Sequence, residues 1–98
     1  MILSNEHIKE VVTNFFKDKP VNKVWLFGSY ARGEATDESD IDVMVDIDKS
    51  ILIGLQFFGW YSDLEEKFHK KVDLVKVGGI KQRILPYVER DLKLIYEK

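Results

Sequence analysis

Ninety-eight residues, 45% of them hydrophobic, suffice for one modest core and leave little room for a second, so residues 1–98 are expected to form a single domain. Fifteen basic against 17 acidic side chains give a formal charge of −2; this argues against a nucleic-acid groove, which is normally basic, but not against a small phosphate ligand held by local charge. With no cysteine there is neither a disulfide framework nor a thiolate metal site. The apolar runs are too short for a membrane span and the first residues lack a secretory layout, so a soluble cytoplasmic protein is expected.

Ser4 can cap a first helix in which Ile8, Val11, Val12, Phe15 and Phe16 recur at helical spacing, with Pro20 helping to end it. Val21 to Phe27 is rich in β-branched and aromatic residues and reads as a strand. Gly28-Ser29 stops it, Tyr30-Ala31-Arg32 suits one short helical turn, and Gly33 closes that turn before a polar loop. From Asp40 to Asp48 the chain alternates strictly. Ile41, Val43, Val45 and Ile47 fall on one side and Asp40, Asp42, Met44, Asp46 and Asp48 on the other, which predicts a strand with one buried face and one face dominated by carboxylates. A helix is expected over roughly 52–69, with Ile53, Phe57, Tyr61, Leu64 and Phe68 in one arc. Val72 to Val77 reads as a third strand ended by Gly78-Gly79. Ile80, Ile84, Tyr87 and Val88 suggest a helix near Pro86, and Leu92 to Tyr96 suits a last short strand or the end of that helix, the strand being favoured. The order α-β-α-β-α-β-α-β predicts a two-layer α/β (α+β) fold, a small mixed sheet of about four strands flanked by about four helices.

Three features point to chemistry. Asp40 and Asp42, two apart on a strand, emerge on the same face with Cα atoms roughly 6.5–7 Å apart. Keeping both ionised calls for a cation, and hard carboxylate oxygens suit Mg²⁺ or Mn²⁺ better than zinc. The pair would equally suit an exposed acidic edge, since Asp46 and Asp48 continue the face. Asp73 interrupts an apolar run, where an ionised carboxylate is costly unless paired or metal-bound, although a half-buried strand could turn it to solvent. Gly28-Ser29 offers backbone N–H groups and a hydroxyl to phosphate oxygens, yet a Gly-Ser pair is also an ordinary turn.

The joint spacing is more specific. Gly28-Ser29, ten intervening residues and then Asp40-Ile41-Asp42 resembles the signature of the DNA polymerase β-like nucleotidyltransferase superfamily. The fuller string Gly28-Ser29-Tyr30-Ala31-Arg32-Gly33 with Ser39-Asp40-Ile41-Asp42 resembles the minimal nucleotidyltransferases within it, and the likeness extends through Val72-Asp73-Leu74-Val75 to Ile95-Tyr96-Glu97. The resemblance implies an enzyme in which a hydroxyl attacks the α-phosphorus of a nucleoside triphosphate and pyrophosphate leaves. It implies Asp40, Asp42 and Asp73 as catalytic residues and metal ligands for two Mg²⁺ ions, with Mn²⁺ as a substitute, and Gly28 and Ser29 as holders of the β- and γ-phosphates of ATP.

The same resemblance implies an antitoxin that moves AMP from ATP to a tyrosine hydroxyl of an all-helical HEPT-domain toxin. A chain of this length has no room for an acceptor-binding domain, so a partner or a homo-oligomer is expected to complete the site. Ile51, Leu55 and Phe58, off the core arc of the third helix, offer a face for such a contact, unless the fold itself covers them. Transfer to a small hydroxylated molecule and a non-catalytic nucleotide-binding module are the alternative functions. Arg32 is expected to be exposed or in a structural ion pair, His7 and His69 to lie on the surface, and Trp25 and Trp60 to serve packing.

Overall fold

The Ser4 side-chain oxygen accepts from the His7 N–H at 3.1 Å and starts α1 (Asn5–Phe16), whose Ile8, Val12, Phe15 and Phe16 are buried. The structure, a computed structural model, describes residues 2–79, 83 and 85–98. After α1 come β1 (Val21–Phe27), α2 (Gly28–Arg32), β2 (Ile41–Ile47), α3 (Gln56–Phe68), β3 (Val72–Lys76), α4 (Leu85–Asp91) and β4 (Lys93–Glu97). The sheet order is β3-β2-β1-β4; β1 runs antiparallel to β2 and β4, and β3 runs parallel to β2.

One face of the sheet carries the main core. Ile41, Val43 and Val45 of β2 meet Val72 and Leu74 of β3, Ile95 of β4 and the apolar stripes of α1 and α3. The two helices lock through Phe16 and Trp60, whose rings stand edge to face at 5.6 Å. β1 reaches this core with Val21, Val24 and Leu26, a spacing that period-two alternation alone forbids. A bulge between Val21 and Lys23 resolves it by adding a residue opposite Ile47 and Asp46, which resets the facing.

The opposite face is not simply solvated. Phe27, Met44 and Val88 are buried together there, with Trp25, Val75 and Leu92 packed against them, so α4 covers the middle of the carboxylate-bearing side of β2. The alternation of residues 40–48 therefore carries two apolar contacts, a large one through the valines and a small one through Met44. Trp25 and Trp60 both serve packing, as expected.

Most boundaries agree with the sequence reading, and the last segment is a strand. The third helix is the exception, starting at Gln56 rather than near residue 52. Asp48 Oδ1 accepts from the Ser50 N–H and hydroxyl at 2.9 and 2.7 Å, and this local turn competes with helix initiation. Ile53 thus packs on the core from the connecting segment, while Trp60 takes a buried position in the helix. Of the residues assigned to the fourth helix, Tyr87 and Val88 lie in α4, and Ile80 and Ile84 lie outside the described residues. Ile51, Leu55 and Phe58 stay 46%, 84% and 66% exposed, so the fold does not cover that apolar face. Among the described residues no helix is long and apolar enough to cross a membrane.

Candidate active site

Strand direction gathers the site. β1 leaves the sheet at the end where antiparallel β2 enters, so Phe27 pairs with Asp42 and Gly28 follows immediately. β3 enters at the same end, and its parallel register puts Asp73 directly beside Asp42. Neighbouring strands lie about 4.8 Å apart, so the two carboxylates leave adjacent backbones on the same face. Asp40 immediately precedes β2 and is exposed, at the end of a compact loop where Ser39 Oγ accepts from the Thr36 N–H at 2.8 Å. The Ile41 N–H then bonds the Lys71 carbonyl at 3.0 Å and ties this entry to β3.

Asp73 and Asp40 both act electrostatically on Asp42. Asp42 is half-buried, and its pKa rises from the usual 3.8 to about 6 through desolvation first, then through the negative charges of Asp73 and Asp40. Arg32 acts in the opposite direction but is engaged elsewhere: its Nη1 donates to Asp91 Oδ2 at 2.7 Å and its Nε to Glu34 Oε2 at 3.3 Å. The expected structural ion pair is therefore present, and it pins α4 to α2.

Gly28 fits tightly against this cluster. Its φ of +73° lies in the left-handed region, and a Cβ built there would overlap the Asp42 carboxylate, with Cγ only 3.1 Å away. No other residue type lets the turn approach Asp42 so closely. Ser29 is half-buried in the first turn of α2, and the Ser29 carbonyl accepts from the Glu34 N–H at 2.9 Å while Gly33, at φ +74°, ends the helix.

The carboxylates of Asp40, Asp42 and Asp73 are hard oxygen donors, a chemistry that suits a divalent ion. Among the described residues no group of three acidic or histidine side chains is placed so that it could hold a metal ion together. One participant escaped the sequence reading. Tyr61, assigned to the core arc of the third helix, packs against the core and also donates its hydroxyl to Asp73 Oδ1 at 3.3 Å. His7 and His69 are exposed, as expected.

A four-stranded mixed sheet flanked by helices, with a Gly-Ser turn after one strand and paired aspartates on the next, is the architecture of a minimal nucleotidyltransferase. The model of the "Polymerase beta, Nucleotidyltransferase" family matches residues 6–98. The chain belongs to this family and is a nucleotidyltransferase. It is 41% identical to a candidate protein adenylyltransferase of Methanocaldococcus jannaschii, over 91% of this chain and 93% of that one. To the protein adenylyltransferase MntA of Thermococcus cleftensis it is 33% identical, over 93% and 95% of the two chains. Among solved structures, one described as a candidate minimal nucleotidyltransferase matches with a TM-score of 0.74 at 28% identity, over 93% of this chain and 95% of that one. One chain of a solved complex between a tri-AMPylated Shewanella oneidensis HEPN toxin and an MNT antitoxin shares the fold with a TM-score of 0.71 at 19% identity, over 95% of this chain and 72% of that one.

Proposed function

We propose that this protein transfers AMP from ATP to a tyrosine hydroxyl of an all-helical partner protein in the cytoplasm, and thereby acts as the antitoxin of a toxin–antitoxin pair. The observation that carries the reading is the parallel register that sets Asp73 beside Asp42, with Gly28 packed against the Asp42 carboxylate. The nearly full-length likeness to protein adenylyltransferases supports the choice of AMP and of a protein acceptor. Solved toxin–antitoxin complexes of the same fold, one of them with AMP-PNP, support the partner class and the nucleotide.

The reaction brings anionic groups together. The acceptor oxygen forms a bond to the α-phosphorus, the α–β phosphoanhydride bond breaks, and pyrophosphate departs. Asp40 and Asp42 would hold Mg²⁺ shared between them, and Asp73 would complete the ligand set on the acceptor side. When bound, the divalent ions supply positive charge to offset that of the attacking and leaving oxygens. Asp73 accepts the proton of the acceptor hydroxyl. Gly28 and Ser29 grip the terminal phosphates through backbone N–H groups and the Ser29 hydroxyl, aligning the leaving group. Asp40 and Asp73 are exposed, so a macromolecular acceptor can reach them.

Intact-mass analysis tests the reading. The protein is incubated with ATP, Mg²⁺ and the product of the neighbouring gene. A gain of one or more adenylyl units on that product, lost after Tyr→Phe change of its acceptor, is the expected result. An unmodified product held in a tight complex would instead indicate a binding module, and modification of an added small alcohol would indicate a small-molecule enzyme.

A further inference from the structure

Among the described residues β3 is an edge strand, paired with β2 and with no strand on its other side. The Ile41 N–H bonds the Lys71 carbonyl and the Val77 N–H the Val45 carbonyl, so odd-numbered residues of this parallel strand turn their backbone groups toward β2. Even-numbered residues therefore turn theirs to the free edge, where exposed amides invite strand addition. Helix α3 closes that edge. Glu65 Oε2 accepts from the outward Val72 N–H at 3.1 Å, and the next outward amide, that of Leu74, faces the Tyr61 hydroxyl oxygen.

Tyr61 and Glu65 are four residues apart, a rise of about 6 Å along a helix, and alternate strand residues are about 6.6 Å apart. The two side chains can therefore meet successive outward amides in step. A phenol has one proton to donate. With the Leu74 amide facing an oxygen lone pair, that proton is directed to Asp73 Oδ1, at 3.3 Å. Asp73 Oδ2 makes no such bond to Tyr61.

We propose that Tyr61 is a positioning residue for Asp73: its hydroxyl, anchored on the closed edge of β3, holds one carboxylate oxygen and leaves the second for a divalent ion. The proposal rests on the reading of Asp73 as a metal ligand. A hydroxyl that orients a ligating carboxylate typically governs metal affinity by 10–100-fold.

The test uses Tyr61→Phe, which keeps the ring in the core. Mn²⁺ binding to the protein without ATP is followed by electron paramagnetic resonance of the free ion, and AMP transfer is measured against Mg²⁺ concentration. Tyr61→Phe is expected to weaken Mn²⁺ binding about tenfold and to raise the Mg²⁺ midpoint similarly, with rate recovered at high Mg²⁺. In an Asp73→Asn background the same change should add nothing. Unaltered Mn²⁺ affinity and Mg²⁺ midpoint in a folded Tyr61→Phe protein would overturn the positioning role, as would a loss of stability and rate with the midpoint unmoved. Absence of any transfer by the wild type, with Tyr61-dependent Mn²⁺ binding intact, would sink the adenylyltransferase reading and leave the positioning role standing.

Discussion

Replacing Asp42 by Asn should abolish transfer and yet make the folded protein more stable at neutral pH. The folded-state pKa of Asp42 is raised from 3.8 to about 6 by burial and by Asp73 and Asp40, so the fold binds this proton more tightly than the unfolded chain does. Its contribution is fully present below pH 3.8 and is lost as pH rises through about 6; above that, the ionised group opposes folding. The unscreened ceiling is about 3 kcal/mol. Half of the side chain is open to water, so screening lowers the expected effect to about 1–2 kcal/mol. Asn has nearly the same shape and no charge. In urea or thermal unfolding without divalent ions, Asp42→Asn should gain about 1–2 kcal/mol at pH 8, roughly 5–10 °C in Tm, and should match the wild type near pH 4. Mg²⁺ should then stabilise the wild type and not the variant, because ion binding to the folded state adds to its stability. A pH-independent difference, or a variant less stable at pH 8, would refute the argument that burial and the charges of Asp73 and Asp40 disfavour the ionised form of Asp42.

Three further outcomes follow from the geometry. Gly28→Ala introduces a Cβ against Asp42 in left-handed backbone, so it should cost about 1–3 kcal/mol in urea unfolding and remove most of the AMP transfer. Arg32→Ala should speed amide exchange in α4 while leaving the urea midpoint of the whole protein little changed, since Arg32 is exposed and water screens its ion pairs. Leu55→Ser with Phe58→Ser removes exposed apolar surface, so monomer stability should change by only about 0.5 kcal/mol or less; any self-association detected by sedimentation should fall.

The alternation from Asp40 to Asp48 was legible because a strand buried on one face imposes period two on its residues, and the helical stripes of α1 and α3 were legible for the analogous reason. The meeting of Asp42 with Asp73 was not. It depends on β3 lying parallel and in register beside β2, a choice made by the α3 crossover and not by either strand alone. Resemblance anticipated it where local pattern could not. Met44 sat among carboxylates and carried no sign that α4 would fold over it. The start of α3 was misjudged because apolar spacing cannot see the Asp48–Ser50 turn. Tyr61 was read as core because its ring is core. Its hydroxyl has meaning only once the edge of β3 is known to run beneath the same helix turn. Asp91, the partner of Arg32, lies 59 residues away in sequence and was invisible for the same reason.

The most direct measurement compares initial rates of AMP incorporation into the partner protein, at saturating ATP and Mg²⁺, for wild type and the single variants Asp40→Asn, Asp42→Asn and Asp73→Asn. Each variant, still folded, should lose at least about a hundredfold in rate, because each removes part of the charge that offsets the triphosphate. Near-normal incorporation by any one of them would contradict the account of three carboxylates acting as a single site.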